Sequence, residues 1–222
     1  SSGAYIYNLV FVVYAASLPF KSLAVFVANM ITILPFLFTF YVGIKADQTQ
    51  NKARMIIWVG CLQSILFLLI AIVIRDSNFF TFAFICLMNI CSDVLSDYTA
   101  GLRMPIIQYN ISEDKLYEAY SFTQFVSYLS NLGGQALGVW ILTTSQQNFS
   151  LVAIVNSGFF LLSSLILLKN RKELTHLSIT VETQPINLVQ QMKTIYADMD
   201  YVFRKKESKS LFKIVLVILI MN

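Results

Sequence analysis

Long runs of apolar residues alternate with short polar segments along most of this chain. Six runs approach or reach the roughly 20 residues that a helix needs to cross the hydrocarbon core of a membrane. None shows the strict alternation that is typical of membrane β-strands. The pattern therefore predicts an all-α membrane protein with six spans, at positions 4–18, 23–41, 56–74, 79–98, 119–142 and 151–168.

The regions outside these spans complete the predicted domain organisation. A bundle at 1–168 is followed by a polar linker at 169–210 and by an apolar run at 211–222, which predicts the start of a seventh span. Within the linker, apolar residues recur every three or four positions over about 186–204, which favours an amphipathic helix over a linker with incidental periodicity. Because the first run is short, we expect its helix to begin upstream of Ser1.

Composition agrees with a chain whose main partner is the lipid bilayer. Of its 222 residues, 57% are hydrophobic and only 13% are charged, whereas charged residues make up roughly a quarter of soluble domains. The formal net charge of +4 comes from basic residues beside the spans, so a nucleic-acid partner is not expected. The three cysteines lie within apolar runs without the spacing of metal ligands, and no metal or cofactor is predicted.

The distribution of basic residues predicts how the protein is oriented in the membrane. Lys45, Lys52 and Arg54 follow the second span, and many further basic residues follow the sixth. The connection between spans 3 and 4 carries Arg75, and the one between spans 5 and 6 carries no basic residue. Since basic loops stay in the cytoplasm, the N-terminus and the linker are predicted to be cytoplasmic, with the protein in the plasma membrane.

Span 4 carries the strongest candidate for function. Asn89, Asp93 and Asp97 recur every four residues, so they lie along one helix face. An ionised Asp near the bilayer centre costs roughly 2.5–3.5 kcal/mol on insertion scales, which favours a face toward a cavity or a partner. Asp93 is the deeper of the two carboxylates and is predicted to bind a proton or a cationic substrate. The alternative is a carboxyl held by hydrogen bonds to a neighbouring helix.

Two other spans contain residues that shape helices in membranes. Gly134 and Gly138 in span 5 form a GxxxG step, which favours a close packing seam over a hinge or a binding site. Pro35 in span 2 removes a backbone hydrogen bond and predicts a kink there. The sequence contains no nucleophile elbow, phosphate-binding glycine loop or zinc-protease motif, so an enzyme is not expected.

The polar segment between spans 2 and 3 resembles the loop signature of the major facilitator superfamily. That signature is a glycine followed by Ala-Asp and basic residues, and here it corresponds to Gly43, Ala46, Asp47, Lys52 and Arg54. The resemblance implies the N-terminal six-helix bundle of a transporter that works by alternating access, built from two three-helix repeats. It also implies that the segment is a cytoplasmic latch and that a second six-span half completes the protein.

Within that superfamily the chain resembles drug exporters of the macrolide-efflux type. Pro105 and the acidic stretch 112–119 are similar to their connection after span 4, and Gly134-Gln135-x-x-Gly138 is similar to their antiporter signature. Gln135 stands where that signature has proline, and Gln48 stands where the loop signature has a basic residue. The resemblance implies proton-coupled efflux of amphipathic compounds. A metabolite or nutrient transporter of the same fold, or a truncated fragment that serves as a scaffold, remain alternatives.

Overall fold

The computed structural model describes residues 2–170 of the chain. The chain divides into two compact units, Ser1–Val181 and Glu182–Asn222. The predicted amphipathic helix at about 186–204 and the seventh span at 211–222 both lie outside the described residues.

Within residues 2–170 the chain folds entirely into helices, turns and short connections. A single 3₁₀ turn at Glu113–Lys115 precedes the sixth α-helix. The α-helices of this part are α1 Ser2–Ser17, α2 Lys21–Ile33, α3 Phe36–Gln48, α4 Lys52–Val73, α5 Phe79–Asn110, α6 Leu116–Thr144 and α7 Phe149–Lys169. The predicted all-α fold class is thus confirmed for the described residues.

Three of these helices contain segments that are long and apolar enough to cross a membrane: Lys52–Val73, Phe79–Gln108 and Phe149–Lys169. Their mean hydropathy values are 2.6, 1.7 and 2.3 respectively. They correspond to the predicted spans 3, 4 and 6. Their length and composition are compatible with a membrane location.

The predicted kink at Pro35 is present and divides span 2 into α2 and α3. Because Pro35 has no backbone N–H, it cannot continue the ladder of hydrogen bonds. The Leu34 amide instead donates to the Ile31 carbonyl at 3.2 Å. One turn further on, the Thr39 hydroxyl donates to the Pro35 carbonyl, also at 3.2 Å.

Span 2 was predicted to end at Tyr41, but α3 continues to Gln48. Most of the segment that resembles the facilitator loop, including Gly43, Ala46 and Asp47, is therefore helical rather than a loop. The physical reason is tertiary packing. Ala46 is fully buried in one cluster with Leu102 of α5, so this part of α3 gains contacts by staying helical.

The end of span 4 was also predicted wrongly. It was expected at Tyr98, whereas α5 runs to Asn110 and passes through Pro105. Leu102 is buried in the cluster that contains Ala46, and Ile106 packs against that cluster. These contacts keep α5 helical beyond Tyr98, where the sequence becomes more polar. At its other end, α5 begins with Asn78, whose side-chain oxygen accepts a hydrogen bond from the Thr81 amide at 2.8 Å.

Helix pairings follow a repeating scheme when the chain is divided after α4. The first three predicted spans are α1, α2–α3 and α4, and the second three are α5, α6 and α7. In this division α1 corresponds to α5, α2–α3 to α6, and α4 to α7. The contact of α1 with α6 then corresponds to the contacts of α5 with α2 and α3. The contact of α4 with α5 corresponds to that of α7 with α1, and α4 and α7 pack against each other. Exchanging the two sets of three spans therefore preserves these pairings.

The α4–α7 interface is a seam of small residues and aromatic rings. Ser150, Ser157 and Ser164 recur every seven residues along α7, and all three are buried. Ser150 donates to the Ala71 carbonyl at 2.5 Å, and Ser157 donates to the Ser64 carbonyl at 2.8 Å. Since α7 residues of increasing number meet α4 residues of decreasing number, the two helices are antiparallel.

Beside this seam, the core contains a chain of aromatic contacts that begins on α1. The ring of Tyr7 meets the edge of Phe67 on α4 at a centroid distance of 4.9 Å, and Phe67 stacks on Phe160 of α7 at 5.5 Å. Phe11 stacks on Phe82 of α5 at 6.1 Å. Helix α1, a member of the first set, thus contacts helices of both sets.

Candidate functional site

The polar row of α5, formed by Asn89, Asp93 and Asp97, passes from the core to the surface. Asn89 is 1% exposed, Asp93 is half-buried, and Asp97 is exposed. A step of four residues exceeds one helical turn by about 40°, so the row rotates steadily around the helix. The three residues predicted as a cavity face are therefore on one curved row. Each residue of the row meets a different environment.

A buried glutamine fixes the rotation of α5 beside this row. Gln63 of α4 is 2% exposed. Its side-chain amide donates to the Ser92 carbonyl at 3.0 Å and to the Ser96 hydroxyl at 2.8 Å. Because both donors of that amide are directed at α5, the helix cannot turn without breaking them. This contact sets Asp93 at the boundary between the core and the surface.

Asp97 contacts the kinked helix α3. Its carboxylate accepts a hydrogen bond from the Thr39 hydroxyl at 3.3 Å, and the same hydroxyl also lies within bonding distance of the Pro35 carbonyl. One hydroxyl carries one hydrogen, so the two acceptors compete for it. An ionised Asp97 draws the hydrogen toward α5. A protonated Asp97 leaves it to Pro35 and can itself donate.

Asp93 has a different environment from its neighbour one turn away. No hydrogen bond or ion pair joins its carboxyl group to any residue in the part of the chain that the structure describes. Asp97 lies four residues further along the same face. Two ionised carboxylates at this spacing repel each other, and a bound proton or cation relieves the repulsion. The pair is therefore suited chemically to bind a proton or a cation.

The facilitator-like segment contributes a buried lysine rather than a free basic side chain. Lys52 is 5% exposed, and its ammonium group donates to the Ala46 carbonyl at 2.7 Å and to the Asp47 carbonyl at 2.9 Å. These carbonyls belong to the last turn of α3, where backbone acceptors lack helical partners. Lys52 therefore caps α3, whereas Asp47 and Arg54 are exposed.

Gly43 of the facilitator-like segment is not a point of close helix packing among the described residues. A side-chain carbon added at Gly43 would meet no atom within 4 Å. One added at Gly101 of α5 would come within 2.9 Å of the Ala46 side chain. The Ala46 and Gly101 pair is thus a point of close packing between α3 and α5. A hydrogen bond of 2.6 Å between Thr49 and Tyr98 lies beside it.

Replacing Lys52 with methionine is expected to destabilise the protein. Methionine fills a similar volume but removes the ammonium donor. The Asp47 carbonyl loses its hydrogen bond from Lys52, and the Ala46 carbonyl keeps only the one from the Thr49 amide, at a cost of roughly 1–3 kcal/mol. Heating the detergent-solubilised protein and measuring the folded fraction would show a lower midpoint. Arg54→Met is the matched control, because Arg54 is exposed on the same first turn of α4. Equal midpoints for both variants would contradict the capping role.

The antiporter-like residues of α6 lie on a helix that packs against α1. Gly134 and Gly138 are both buried, as a packing seam requires. Gln135 is half-buried, and its side-chain amide donates to the Asn131 side-chain oxygen at 2.7 Å. This hydrogen bond lies within α6 and does not involve the polar row of α5.

Sequence reasoning missed Thr39 and gave Gln63 no specific role. Thr39 lies four residues after Pro35, and this spacing alone indicates a side chain that can satisfy the carbonyl exposed by the kink. Its contact with Asp97 depends on the relative rotation of two helices, which spacing does not fix. Comparison with known proteins adds no identification, since no protein-family model, curated protein or solved structure matches the chain.

Proposed function

We propose that this protein is a secondary active transporter of the major facilitator type that exports amphipathic compounds in exchange for protons. The observation that carries the proposal is the half-buried Asp93 carboxyl group, which has no hydrogen-bond partner among the described residues. It lies on a helix long enough to cross a membrane. Ionisable groups at such positions are rare, and they mark ion, proton or substrate pathways by default.

The helix pairings support a transporter built from two repeats. Exchanging α1, α2–α3 and α4 with α5, α6 and α7 preserves the pairings between the two sets. Internal repeats of this kind are common in secondary transporters, with the substrate and ion sites near the interface between repeats. Asp97 of the polar row contacts α3, and Ser92 beside the row contacts α4; both of these helices belong to the first set of spans. The position of the row agrees with such a site.

In the proposed cycle, protonation of the carboxylate pair changes the contacts between α5 and the kinked helix. With Asp97 ionised, its hydrogen bond to Thr39 holds α3 against α5. With Asp97 protonated, the Thr39 hydroxyl is free to satisfy Pro35. The charge of Asp93 at the same time sets the affinity for a cationic substrate. Substrate binding from one side then releases the proton to that same side, and proton binding from the other side releases the substrate there. Both steps follow from one competition for negative charge.

The proposed orientation places the connection between α3 and α4 in the cytoplasm, with the N-terminus and the linker on the same side. Lys45, Lys52 and Arg54 near this connection support it through the preference of basic residues for the cytoplasmic side. The protein would then lie in the plasma membrane and act with a second six-span half. The substrate class is supported by the resemblance to macrolide-efflux exporters, which is carried by Pro105, the acidic stretch 112–119 and Gly134-Gln135-x-x-Gly138.

Proton exchange against ethidium in liposomes tests the proposal. Ethidium is an amphipathic cation with a permanent charge, so it does not carry a proton across the membrane by itself. Protein is reconstituted into liposomes with an acidic lumen and a fluorescent pH indicator inside. Adding ethidium outside is expected to make the lumen more alkaline. A protonophore, which lets protons cross the membrane without the protein, should abolish this response to ethidium.

Protein-free liposomes are the control for passive leakage. If ethidium moved no protons beyond this control, the proposed exchange would be wrong. Proton movement upon addition of an amino-acid mixture, with none upon addition of ethidium, would favour the metabolite transporter instead.

A further inference from the structure

Several polar side-chain atoms in the core have no hydrogen-bond partner among the described residues. They are the hydroxyl groups of Tyr7, Tyr14 and Ser145, the amide nitrogen of Asn89, and both polar atoms of the Asn156 side chain. Tyr14 and Ser145 lie within one turn of helix ends. Tyr7, Asn89 and Asn156 lie more than one turn from any helix end and are 1%, 1% and 0% exposed. We call these three residues the core polar group.

Helices α1 and α7 bring two members of the core polar group to the same level. Val10 of α1 belongs to the same buried cluster as Val152 of α7, and the Tyr14 ring meets the Phe149 ring at a centroid distance of 5.3 Å. The two helices are therefore antiparallel. Their members of the group lie three residues before Val10 and four residues after Val152, on the same faces as these valines. Those two side chains are thus level with each other.

The third member, Asn89, reaches the same level beside α4. The Gln63 side chain of α4 bonds to the Ser92 carbonyl of α5, and the short connection between the two helices makes them antiparallel. Phe67, one turn after Gln63, is therefore level with Asn89, which lies about one turn before Ser92. The Phe67 ring meets the Tyr7 ring at a centroid distance of 4.9 Å. One layer of the core thus contains a member of the group from each of α1, α5 and α7.

The members of the core polar group have complementary chemistry. A tyrosine hydroxyl donates and accepts hydrogen bonds, and an asparagine side chain does both through its two ends. The three side chains lie in one layer, yet their unpartnered atoms are not placed for direct hydrogen bonds to one another. A water molecule donates two hydrogen bonds and accepts two, so it can bridge polar groups that do not meet directly. Buried waters typically satisfy such groups in protein interiors.

Enclosure and charge exclude other ligands from this layer. Each member of the group is at most 1% exposed, which leaves no opening for an organic molecule. The three side chains are uncharged and do not attract an ion as a carboxylate does. Asp93 lies one turn beyond Asn89 and is half-buried at the edge of the core. Water is the ligand that fits both the size and the chemistry of the layer.

We propose that a small cluster of buried water molecules hydrogen-bonds to Tyr7, Asn89 and Asn156 in the core. More than one water is required, because the two ends of the Asn156 amide need separate partners. Helix α1 belongs to the first set of spans, whereas α5 and α7 belong to the second. The water cluster therefore links the two sets by hydrogen bonds through the middle of the bundle. This site does not depend on transport activity.

X-ray footprinting of the detergent-solubilised protein tests the water site. A brief X-ray pulse converts water into hydroxyl radicals, which oxidise the side chains that touch that water, including those remote from the surface. The protein is irradiated for increasing times, and tandem mass spectrometry locates the oxidised residues. Tyr7 is expected to be oxidised several times faster than Phe11, which is 0% exposed on the same helix and stacks on Phe82. Equal rates for Tyr7 and Phe11 would overturn the proposal.

A pair of variants locates the water. Asn156→Leu keeps a similar shape but removes both polar atoms, so oxidation of Tyr7 should slow toward the rate of Phe11. Asn148→Leu is the matched control, because Asn148 is exposed at the start of α7 and lies outside the core polar group. It should leave the rate of Tyr7 oxidation unchanged. An unchanged rate in Asn156→Leu, or equal decreases in the two variants, would refute the site.

The thermal stability of Asn156→Leu gives a second test, in which the direction of the change decides. If water satisfies the Asn156 amide, the substitution breaks those hydrogen bonds and should lower the melting midpoint of the solubilised protein. If the amide is buried without any partner, removing it should raise the midpoint. An unchanged or higher midpoint would overturn the proposal. If Asn156→Leu fails to fold, the comparison of Tyr7 with Phe11 in the unmodified protein decides the matter.

Discussion

Replacing Asp93 with asparagine is expected to reduce ethidium-driven proton movement to the level of protein-free liposomes. Asparagine has nearly the same shape but cannot bind and release a proton, and it carries no charge for a cationic substrate. Because the Asp93 carboxyl has no hydrogen-bond partner in the described structure, the substitution should leave the fold intact. Its effect on transport then reports on the chemistry of the carboxyl group.

The matched control for Asp93→Asn is Asp76→Asn. Asp76 is an exposed residue between α4 and α5, away from the polar row. It should retain normal proton movement, and both variants should melt at the temperature of the unmodified protein. If Asp93→Asn exchanged protons at the normal rate, the proposed role of Asp93 would be lost. If instead it melted at a much lower temperature, Asp93 would have a structural role.

Replacing Gly60 with valine is expected to destabilise the protein by overpacking the α4–α7 interface. A side-chain carbon built at Gly60 overlaps the Ser164 hydroxyl and lies 3.5 Å from the Ser164 side-chain carbon and 3.7 Å from the Phe160 carbonyl. Overpacking of this kind costs roughly 1–3 kcal/mol. Ser164 can relieve it only by giving up its hydrogen bond to the Phe160 carbonyl.

Gly158→Val is the matched control for Gly60→Val. Gly158 lies in the middle of α7, and a side-chain carbon added there would meet no atom within 4 Å. Both variants change a helical glycine to valine, so they share the effect on helix propensity. Unfolding in a series of denaturing-detergent mixtures should show a shift for Gly60→Val alone. Equal shifts for the two variants would mean that the α4–α7 seam is not as closely packed as described.

Apolar runs were sufficient to predict where the helices of the described region lie, and Pro35 correctly predicted the break between α2 and α3. The runs did not predict the helix ends where packing extends a helix into polar sequence, as at Ala46 in α3 and Leu102 in α5. In both places a short polar or charged stretch suggested an end, while buried contacts on one face kept the helix intact. Patterns of single residues do not contain this information, because the stabilising partner lies on another helix.

The candidate site was predictable in part for a similar reason. The spacing of Asn89, Asp93 and Asp97 placed them on one row, and the structure confirms that arrangement. Which of the three faces the core depends on the rotation of α5, which the Gln63 contact fixes. The role of Lys52 was not predictable, because a basic residue beside a span is ordinarily exposed to solvent. Its burial follows from the exposed carbonyls at the end of α3.

The seven-residue spacing of the α7 serines limits how α4 and α7 can slide past each other. Seven residues correspond to about 10.5 Å along a helix, so the next alignment of serines with small positions on α4 is that far away. Smaller displacements would bring a serine against a bulky side chain and break its hydrogen bond to α4. Helices α4 and α7 should therefore move together as one rigid unit. Any change of shape would then have to come from movement of the other helices around it.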